Sequence, residues 1–299
     1  MTVLILGGDD DEHALHMLAY LAHEGVDALL LDSRAFPSTM TLSFDPADES
    51  GTIGFPDGRV AFGAIRSVYW RLYDEVRTPP LPDGDQDFVA RNDARGLFET
   101  MLIRLPARWV NGWSAVRLHQ TKPVQLAIVA RLGAAIPRTI VANDPEAVVR
   151  FVRDHPRAIF KPVQVGAHAR RLTKEHLAPE ALDRLRIAPV TIQEEVVGTN
   201  IRVFVAGERV MACEIETEHL DFRDDATPNV RVHRLPTQAE RLSVAIADAL
   251  DLRWTGIDFR LTPDGRYVFL EANPSPMFMR FELDTGLPLT ESLGALLIT

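Results

Sequence analysis

The chain opens with two short apolar runs separated by a helical pattern. Residues 3–6 are apolar, residues 13–24 carry apolar side chains at helical spacing, and residues 28–31 are apolar again. Short continuous apolar runs are typical of buried strands, so this order predicts a parallel βαβ unit. Two glycines and then four acids follow the first run. Because the acids would repel phosphate, we interpret this turn as a helix N-terminus rather than a nucleotide loop.

Strand and helix patterns continue along the rest of the chain. They predict strands at 41–44, 52–55, 65–72, 139–141, 158–162, 191–195, 201–205, 209–215, 256–261 and 267–270. They predict helices at 88–105, 123–132, 144–154, 174–185, 238–250 and 287–297. This mixture indicates an α/β (α+β) fold, and residues 109–113 are predicted to be a domain junction. We expect three domains, at residues 1–115, 116–190 and 191–299.

Composition limits the classes of function. The chain has 32 Lys and Arg against 42 Asp and Glu, a formal net charge of −10, which argues against a general nucleic-acid or membrane surface. No apolar stretch approaches the length of about 18 residues that crosses a bilayer, and the N-terminal run lacks a basic flank typical of a signal peptide. Cys213 is the only cysteine, which excludes a disulfide framework and fits a reducing, cytoplasmic location.

Acidic and amide side chains recur at the C-terminal hairpin. Asp258 lies on one predicted strand, and Glu271 and Asn273 lie at the end of the next, with a turn at 263–265 between them. Alternation puts Glu271 and Asn273 on one face, and the hairpin places Asp258 across from them. Two carboxylates and an amide oxygen suit Mg²⁺. The alternative is a pair of solvated acids, but large apolar neighbours indicate burial, where unpaired carboxylates are costly.

Two lysines are candidates for binding phosphate. Lys122 starts a predicted helix, and Lys161 ends a predicted buried strand. Each alone could be a solvated lysine, but a phosphate partner would explain a lysine at the end of a buried strand. The small residues of the loop 163–168, including Gly166, could fold over phosphates.

The order of these segments resembles the ATP-grasp fold over about residues 110–280. Lys122, Lys161, the strand end at 193–196 and the set Asp258…Glu271-x-Asn273 match that family in order and spacing. The resemblance implies an N-terminal βαβ pre-ATP-grasp domain, a central lid subdomain and a C-terminal metal-binding subdomain. It also implies ATP and Mg²⁺ as cofactors.

The resemblance also implies individual roles. ATP-binding residues would be Lys122, Lys161, Gly166, Gln193, Glu194, Glu195, Val196 and Asn200. The Glu194 carbonyl and the Val196 amide would pair with adenine. Asn200 stands where the family often has an acid that binds ribose, which is a departure. Arg202 would contact the terminal phosphate or an acyl phosphate, and it and Lys161 are the expected catalytic residues.

A narrower resemblance covers nearly the whole chain. Features that carry it are Phe36-Pro37, Tyr69-Trp70-Arg71, Asn111-Gly112, Lys122-Pro123-x-Gln125-Leu126 and the segment 281–289. They are similar to the microviridin-type, or graspetide, ATP-grasp ligases, which close ester or amide macrocycles in ribosomally made precursor peptides. This resemblance implies a precursor peptide as partner and is compatible with a homodimer. Arg71, Arg223 and Arg260 are the candidate substrate contacts.

The predicted reaction is ATP-dependent activation of a side-chain carboxylate as an acyl phosphate, followed by attack of a hydroxyl or amine. Phosphate is a far better leaving group than oxide, and lysines with Mg²⁺ spread the phosphoryl charge. One alternative is an ATP-grasp amino-acid ligase that adds a residue to a small acid or a protein tail. A second alternative is a nucleotide-binding regulator without catalysis, although such a protein has no need of a complete metal set.

Overall fold

The computed structural model describes residues 1–164 and 168–299. These residues form two compact units. The first unit comprises residues 1–113, 277–282 and 288–299, and the second comprises residues 114–276 and 283–287. The three-domain division stays a prediction. Most of residues 277–299 belong to the first unit, where the C-terminal helix packs.

The first unit is built on a parallel sheet and a small antiparallel meander. Its strands are β1 (Thr2–Leu6), β2 (Ala28–Leu31), β3 (Thr41–Asp45), β4 (Ser50–Phe55), β5 (Gly58–Ala61), β6 (Ile65–Trp70) and β7 (Arg108–Val110). Its first two helices are α1 (Glu12–His23) and α2 (Gly84–Arg104). One sheet has the order β2-β1-β6-β7, with each neighbouring pair parallel, and the other has the order β3-β4-β5.

The predicted βαβ opening is confirmed. β1 is fully buried and pairs in parallel with β2. α1 begins as predicted after the acidic turn, because the Asp11 side chain accepts the Ala14 N–H at 2.8 Å and caps the helix. α2 begins four residues earlier than predicted, because Asp83 caps it by accepting the N–H groups of Asp85 and Gln86.

The second unit contains two antiparallel sheets. Its helices are α3 (Trp113–His119), α4 (Lys122–Arg131), α5 (Pro145–Asp154), α6 (Pro179–Asp183) and α7 (Thr237–Ala249). Its strands are β8 (Thr139–Ala142), β9 (Ala158–Lys161), β10 (Arg170–Arg171), β11 (Val190–Glu194), β12 (Thr199–Ala206), β13 (Arg209–Glu216), β14 (Asn229–Val232), β15 (Trp254–Leu261) and β16 (Tyr267–Asn273). The chain ends with α8 (Met279–Thr285) and α9 (Leu289–Ile298).

α9 closes the first unit. The Ser67 hydroxyl and the Arg108 guanidinium both donate to the Leu297 carbonyl, at 2.7 and 3.0 Å. Arg66 donates to the next carbonyl, that of Ile298, at 2.6 Å. Carbonyls at a helix C-terminus lack partners within the helix. Donors from β6 and β7 therefore hold the end of α9 against the parallel sheet.

The smaller sheet of the second unit has the order β10-β9-β11-β8. Its core is formed by Val148 on α5, Ala158 on β9 and Ile192 on β11. The single helix predicted for residues 174–185 is wrong. A 3-10 turn (Lys174–Leu177), α6 and a second 3-10 turn (Arg184–Arg186) occupy this segment, because a proline disfavours helical geometry in the residue before it.

The larger sheet has the order β14-β13-β12-β15-β16. Its core includes Val203 of β12, Ile257 of β15 and Phe269 of β16, together with Ile246 of α7 and Val129 of α4. Apolar residues on this face bury the sheet against α4 and α7. The opposite face is therefore left for the polar residues that form the candidate site.

Candidate active site

Three charged side chains stand in a row across the larger sheet. The register places Arg202 of β12 directly opposite Asp258 of β15, and Asp258 directly opposite Glu271 of β16. Directly opposite residues of antiparallel strands project from the same face of a sheet. The structure thus brings Asp258 and Glu271 together, with the turn at residues 263–265 between their strands.

A β-bulge in β16 directs Glu271 to this face. The register shifts so that Phe259 pairs with Phe269, whereas Asp258 pairs with Glu271, leaving Leu270 as the extra residue. Phe269 is fully buried in the core, and both Leu270 and Glu271 line the cavity described below. Without the bulge, simple alternation would put Phe269 and Glu271 on the same face.

Each carboxylate is already paired with a cation. The Arg202 Nε and Nη2 atoms donate to the two oxygens of Asp258 at 2.8 and 2.7 Å. The Lys122 ammonium donates to Glu271 Oε2 at 2.6 Å. The Arg202 side chain is only 7% exposed, and the ring of Phe222 lies 5.1 Å from its guanidinium carbon. Pairing favours the charged form of both carboxylates. At Asp258 burial outweighs this effect and raises the pKa of the carboxyl above its usual value.

The pKa values reflect these pairings. Burial raises the pKa of Glu271, but the opposite effect of Lys122, and then of Lys161, is larger. The net result is a pKa of about 2, so the carboxylate is charged at neutral pH. Burial lowers the pKa of the Lys161 ammonium below its usual value, although Glu271 opposes this shift. The site thus contains closely spaced charged groups. Binding of a polyphosphate and a cation would change the pKa values of these groups.

Lys161 is held at the end of β9 by a buried amide. Its ammonium lies 3.4 Å from Gln193 Oε1, and Gln193 is 2% exposed. Gln193 in turn donates from Nε2 to the Thr139 hydroxyl at 2.9 Å. The amide orientation is fixed by this second bond, because Thr139 donates its own proton to the Pro137 carbonyl. Gln193 therefore presents its oxygen to Lys161.

These residues border one cavity of about 330 Å³ in the second unit. Its lining includes the predicted residues Lys122, Lys161, Gln193, Glu194, Glu195, Val196, Asn200, Arg223, Asp258, Arg260 and Glu271. Apolar lining comes from Ile159, Pro162, Leu220, Phe222 and Leu270. A lining that combines cationic groups, carboxylates, apolar side chains and a strand end suits a ligand that has a phosphate chain and a flat apolar ring.

The strand end at β11 is tied to its neighbours. The Glu194 N–H donates to the Arg138 carbonyl, and the Glu194 carboxylate accepts the Arg138 N–H, both at 2.9 Å. The Glu195 carboxylate accepts two bonds from Arg171, at 2.9 and 3.1 Å. These contacts hold residues 194–196 at the edge of the cavity, and they leave the side chain of Glu195 bound to an arginine.

Asn200 and Arg260 are neighbours in this wall. Asn200 is buried and lies opposite Arg260 in the register of β12 and β15. The Arg260 guanidinium donates to the carbonyls of Gly198 and Leu220, at 3.2 and 3.3 Å. Two separate backbone segments thus anchor the Arg260 side chain. Asn200 thus places an amide at the position where the family often has a ribose-binding acid, and the guanidinium of Arg260 lies beside it.

Three predicted site residues are not part of the cavity lining. Arg202 lies behind the lining residues Asp258 and Phe222, which it contacts, and Asn273 accepts the Ser275 N–H on its Oδ1 atom at 2.9 Å. Arg71 belongs to the first unit, where its Nε donates to Asp11 at 3.0 Å. Gly166 lies outside the described residues.

Sequence reasoning missed other residues of the site. Leu270 enters only because of the bulge, which the alternation of β16 does not reveal. Phe222 lies in the polar segment 218–228, and no motif marked its ring as a contact of Arg202. Ile159 and Leu220 carry no sequence signal beyond hydrophobicity.

The donor set fits a divalent cation bound together with phosphates. Asp258 and Glu271 supply hard oxygen atoms side by side, and Asn273 follows two residues later on the same strand. Among residues 1–164 and 168–299, no group of three or more His, Cys, Asp or Glu side chains could hold a metal by itself. Mg²⁺ takes few protein ligands and completes its shell with phosphate oxygens.

Comparison with known proteins identifies the class as ATP-grasp enzymes. Residues 120–297 match the RimK-like ATP-grasp domain, and the chain belongs to this family of ATP-dependent ligases. The match starts just before Lys122 and includes all the charged residues of the row.

Two solved structures are similar over nearly the whole chain. The ATP-grasp ligase PsnB, complexed with a minimal precursor, is 30% identical, with 99% of this chain and 97% of that chain covered and a TM-score of 0.86. The macrocyclase MdnC of Microcystis aeruginosa MRC, bound with the precursor peptide MdnA, shares the fold at 24% identity and a TM-score of 0.88, with 100% of both chains covered. The ATP-grasp fold predicted from the motifs is confirmed.

Curated relatives are more distant. A probable alpha-L-glutamate ligase of Vibrio parahaemolyticus is 26% identical over 189 residues, which cover 59% of this chain and 62% of the relative. An uncharacterised protein of Mycoplasma genitalium is 31% identical over 85 residues. The chain spans 62% of the length of the Vibrio ligase and 30% of the length of the Mycoplasma protein.

Within the described residues, no helix is long and apolar enough to cross a membrane.

Proposed function

We propose that this protein is an ATP-dependent ligase that closes ester or amide macrocycles in a ribosomally made precursor peptide. The row Arg202–Asp258–Glu271, with Lys122 and Lys161 around the same cavity, is the observation that carries this proposal. The relation to PsnB, a ligase complexed with a minimal precursor, supports a peptide substrate. The Tyr69-Trp70-Arg71 and Asn111-Gly112 motifs support the macrocycle-forming branch.

The reaction has two balanced steps. A substrate carboxylate oxygen attacks the γ-phosphorus of ATP, which forms an acyl phosphate and releases ADP. A substrate hydroxyl or amine then attacks the acyl carbon, loses its proton and expels inorganic phosphate. The sum is the loss of one water from the peptide for each ATP converted to ADP and phosphate. Each step uses a good leaving group, so no nucleophile from the enzyme is required.

The charged side chains would stabilise the transferring phosphoryl group. Lys122 and Lys161 would bind the phosphates, and Arg202 would contact the terminal phosphate or the acyl phosphate. Asp258, Glu271 and Asn273 would hold Mg²⁺, which neutralises charge that develops on the phosphate oxygens. A structure of PsnB with a precursor variant, Mg and ADP supports this cofactor pair.

The remaining wall would bind the nucleoside and the substrate. The backbone of Glu194 and Val196 would pair with adenine between the apolar side chains of Ile159 and Leu270. Asn200 would contact ribose. Arg223 and Arg260 border the cavity and are the proposed contacts for substrate carboxylates, with Arg71 as a further candidate.

Mass spectrometry with an ADP assay tests the proposal. The purified protein is incubated with ATP, Mg²⁺ and a short acidic peptide that contains Ser, Thr or Lys and is encoded beside its gene. We expect the peptide to lose whole waters in step with ADP formation. A peptide that gains the mass of an amino acid would instead indicate the glutamate-ligase type of activity found in the curated relatives' names. Absence of ADP under all conditions would favour a non-catalytic regulator.

A further inference from the structure

One amide side chain pairs with both main-chain polar groups of Ala272. Gln125 of α4 donates from Nε2 to the Ala272 carbonyl at 2.9 Å, and the Ala272 N–H donates to Gln125 Oε1 at 2.9 Å. Gln125 is 2% exposed, so water does not compete for these bonds. The pattern is the one that a neighbouring strand would provide.

β16 needs such a partner because it is an edge strand. In the order β14-β13-β12-β15-β16, only β15 pairs with it along its length. On the outer side of β16, the Phe269 N–H donates to the Ala135 carbonyl at 2.8 Å. Further along this side, Gln125 forms hydrogen bonds with both the N–H and the carbonyl of Ala272. The two contacts lie on either side of Leu270, the bulge residue.

A histidine supports the same carbonyl. His119, the last residue of α3, lies with Nδ1 2.9 Å from the Ala272 oxygen. A carbonyl only accepts, so the Nδ1 atom carries the proton. His119, Lys122 and Gln125 thus recur at three-residue spacing, and all three contact the dipeptide Glu271–Ala272.

The placement of Ala272 gives these bonds a consequence for the site. Ala272 stands between Glu271 and Asn273, the two proposed metal ligands on β16. A bulge leaves one residue unpaired, and a slip of one residue would turn Glu271 away from Asp258. Fixing the backbone just after the bulge fixes where both ligands project.

We propose that Gln125, supported by His119, is a positioning residue that holds the Glu271–Asn273 segment in the register needed to bind a divalent cation with nucleotide. The identity of this ligand, a divalent cation with nucleotide, rests on the proposed function. The residue acts through the backbone and does not touch substrate. Partners that orient metal ligands typically change metal affinity by about 10- to 100-fold when they are removed.

The test measures cation binding to the full chain in the presence of ADP. Mn²⁺ replaces Mg²⁺, and electron paramagnetic resonance reports free Mn²⁺. Gln125→Met keeps the length of the side chain and loses both hydrogen bonds. Val129→Ala is the matched control, because Val129 is buried on the same helix and makes no hydrogen bond to Ala272. Tm is measured for every variant.

We expect Gln125→Met to bind Mn²⁺ about tenfold more weakly than the wild type, with ADP affinity in the absence of metal unchanged. Val129→Ala should lower Tm while its Mn²⁺ affinity stays within about twofold of the wild type. Equal Mn²⁺ affinities for Gln125→Met and the wild type would overturn the inference. The inference would also be overturned if Val129→Ala lost as much Mn²⁺ affinity as Gln125→Met.

Two further outcomes separate this inference from the proposed function. If Gln125→Met does not fold, His119→Phe retains both Gln125 bonds and should still weaken Mn²⁺ binding, by about threefold; unchanged binding there would contradict the inference. A wild-type protein that binds neither ADP nor Mn²⁺ would overturn both the ligase proposal and the positioning role. Normal binding by the wild type, with equal binding by the variants, would overturn only the positioning role.

Discussion

Lys122 and Glu271 are 149 residues apart in the chain, yet their side chains meet in an ion pair of 2.6 Å. Both are more than four-fifths buried, and the neighbouring pair of Arg202 and Asp258 is equally close, at 2.7 Å. Asp258 and Glu271, which are proposed to bind metal, therefore each pair with a cationic side chain. A divalent cation would compete with these side chains for the carboxylates, and nucleotide phosphates would offer the side chains new partners.

Mg²⁺ and ADP should therefore bind cooperatively. We expect Mg²⁺ to bind at least about tenfold more tightly when ADP is present, because phosphates accept the released Lys122. Isothermal titration of Mg²⁺ with and without ADP measures this ratio. Lys122→Met removes the competitor, so it should tighten the binding of Mg²⁺ alone and weaken that of ADP. Weaker binding of both ligands would contradict a competing role for the ion pair.

Glu271→Gln should separate binding from turnover. The amide keeps the shape but loses the charge that a cation needs, so we expect ADP formation to fall by about 100-fold or more. Binding of ADP without metal, measured by fluorescence titration, should remain near the wild-type value. Glu214→Gln is the matched control, since Glu214 bonds Arg231 and His233 on the other face of the sheet. Equal losses in both variants would indicate a general structural effect.

Arg223 is expected to contribute to peptide recognition. It lies in the cavity wall, is about half exposed, and is held by Asp221 through Nε at 2.8 Å. Removing a charge-assisted contact to a substrate carboxylate should raise KM for the peptide by about tenfold in Arg223→Gln. KM for ATP should be unchanged. Arg186→Gln, at an exposed ion pair with Asp183, serves as the control. A rise in KM for ATP alone would reassign Arg223 to the nucleotide.

His13 makes the first unit sensitive to acid. Its Nε2 atom accepts the Phe278 N–H at 3.0 Å, which requires an unprotonated nitrogen. Burial, and secondly Arg71, lowers the pKa of His13 from 6.5 to about 4. Between these values the unfolded chain binds a proton that the folded chain does not. Stability from this residue is therefore present above pH 6.5 and is lost as the pH falls towards 4.

The free energy of unfolding should decrease by about 2 kcal/mol between pH 7 and pH 5 on account of His13 alone. Urea unfolding of the wild type and of His13→Gln at both pH values isolates this contribution, since the glutamine oxygen can still accept from Phe278. The variant should lose less stability than the wild type on acidification. Parallel losses in the two proteins would show that His13 is not the responsible group.

The sequence contained enough information for a hairpin that joins the strands of Asp258 and Glu271, but not for their register. Alternation counted from the turn at residues 263–265 would place Leu270, not Glu271, opposite Asp258. The bulge at Leu270 was not predictable, because it depends on packing Phe269 into the core. The contact of Gln125 with Ala272 is equally non-local, since it spans 147 residues.

Local signals were also misread. Pro179 was present in the segment predicted as one helix, and the residue before it, Ala178, has the extended ψ of 148° expected ahead of a proline. Apolar spacing alone suggested continuity there. The cap at Asp83 was similarly visible in the sequence and explains the earlier start of α2.

The path of the chain through the two units affects how the protein folds during synthesis. Residues 114–276 of the second unit are contiguous, whereas the first unit is completed only by α9, whose last carbonyls are bound by Ser67 and Arg108. Domains generally fold as their residues emerge from the ribosome, starting from the N-terminus. Here we expect the reverse order, in which the later-translated second unit reaches its native state first and the first unit does so only after α9 has been translated.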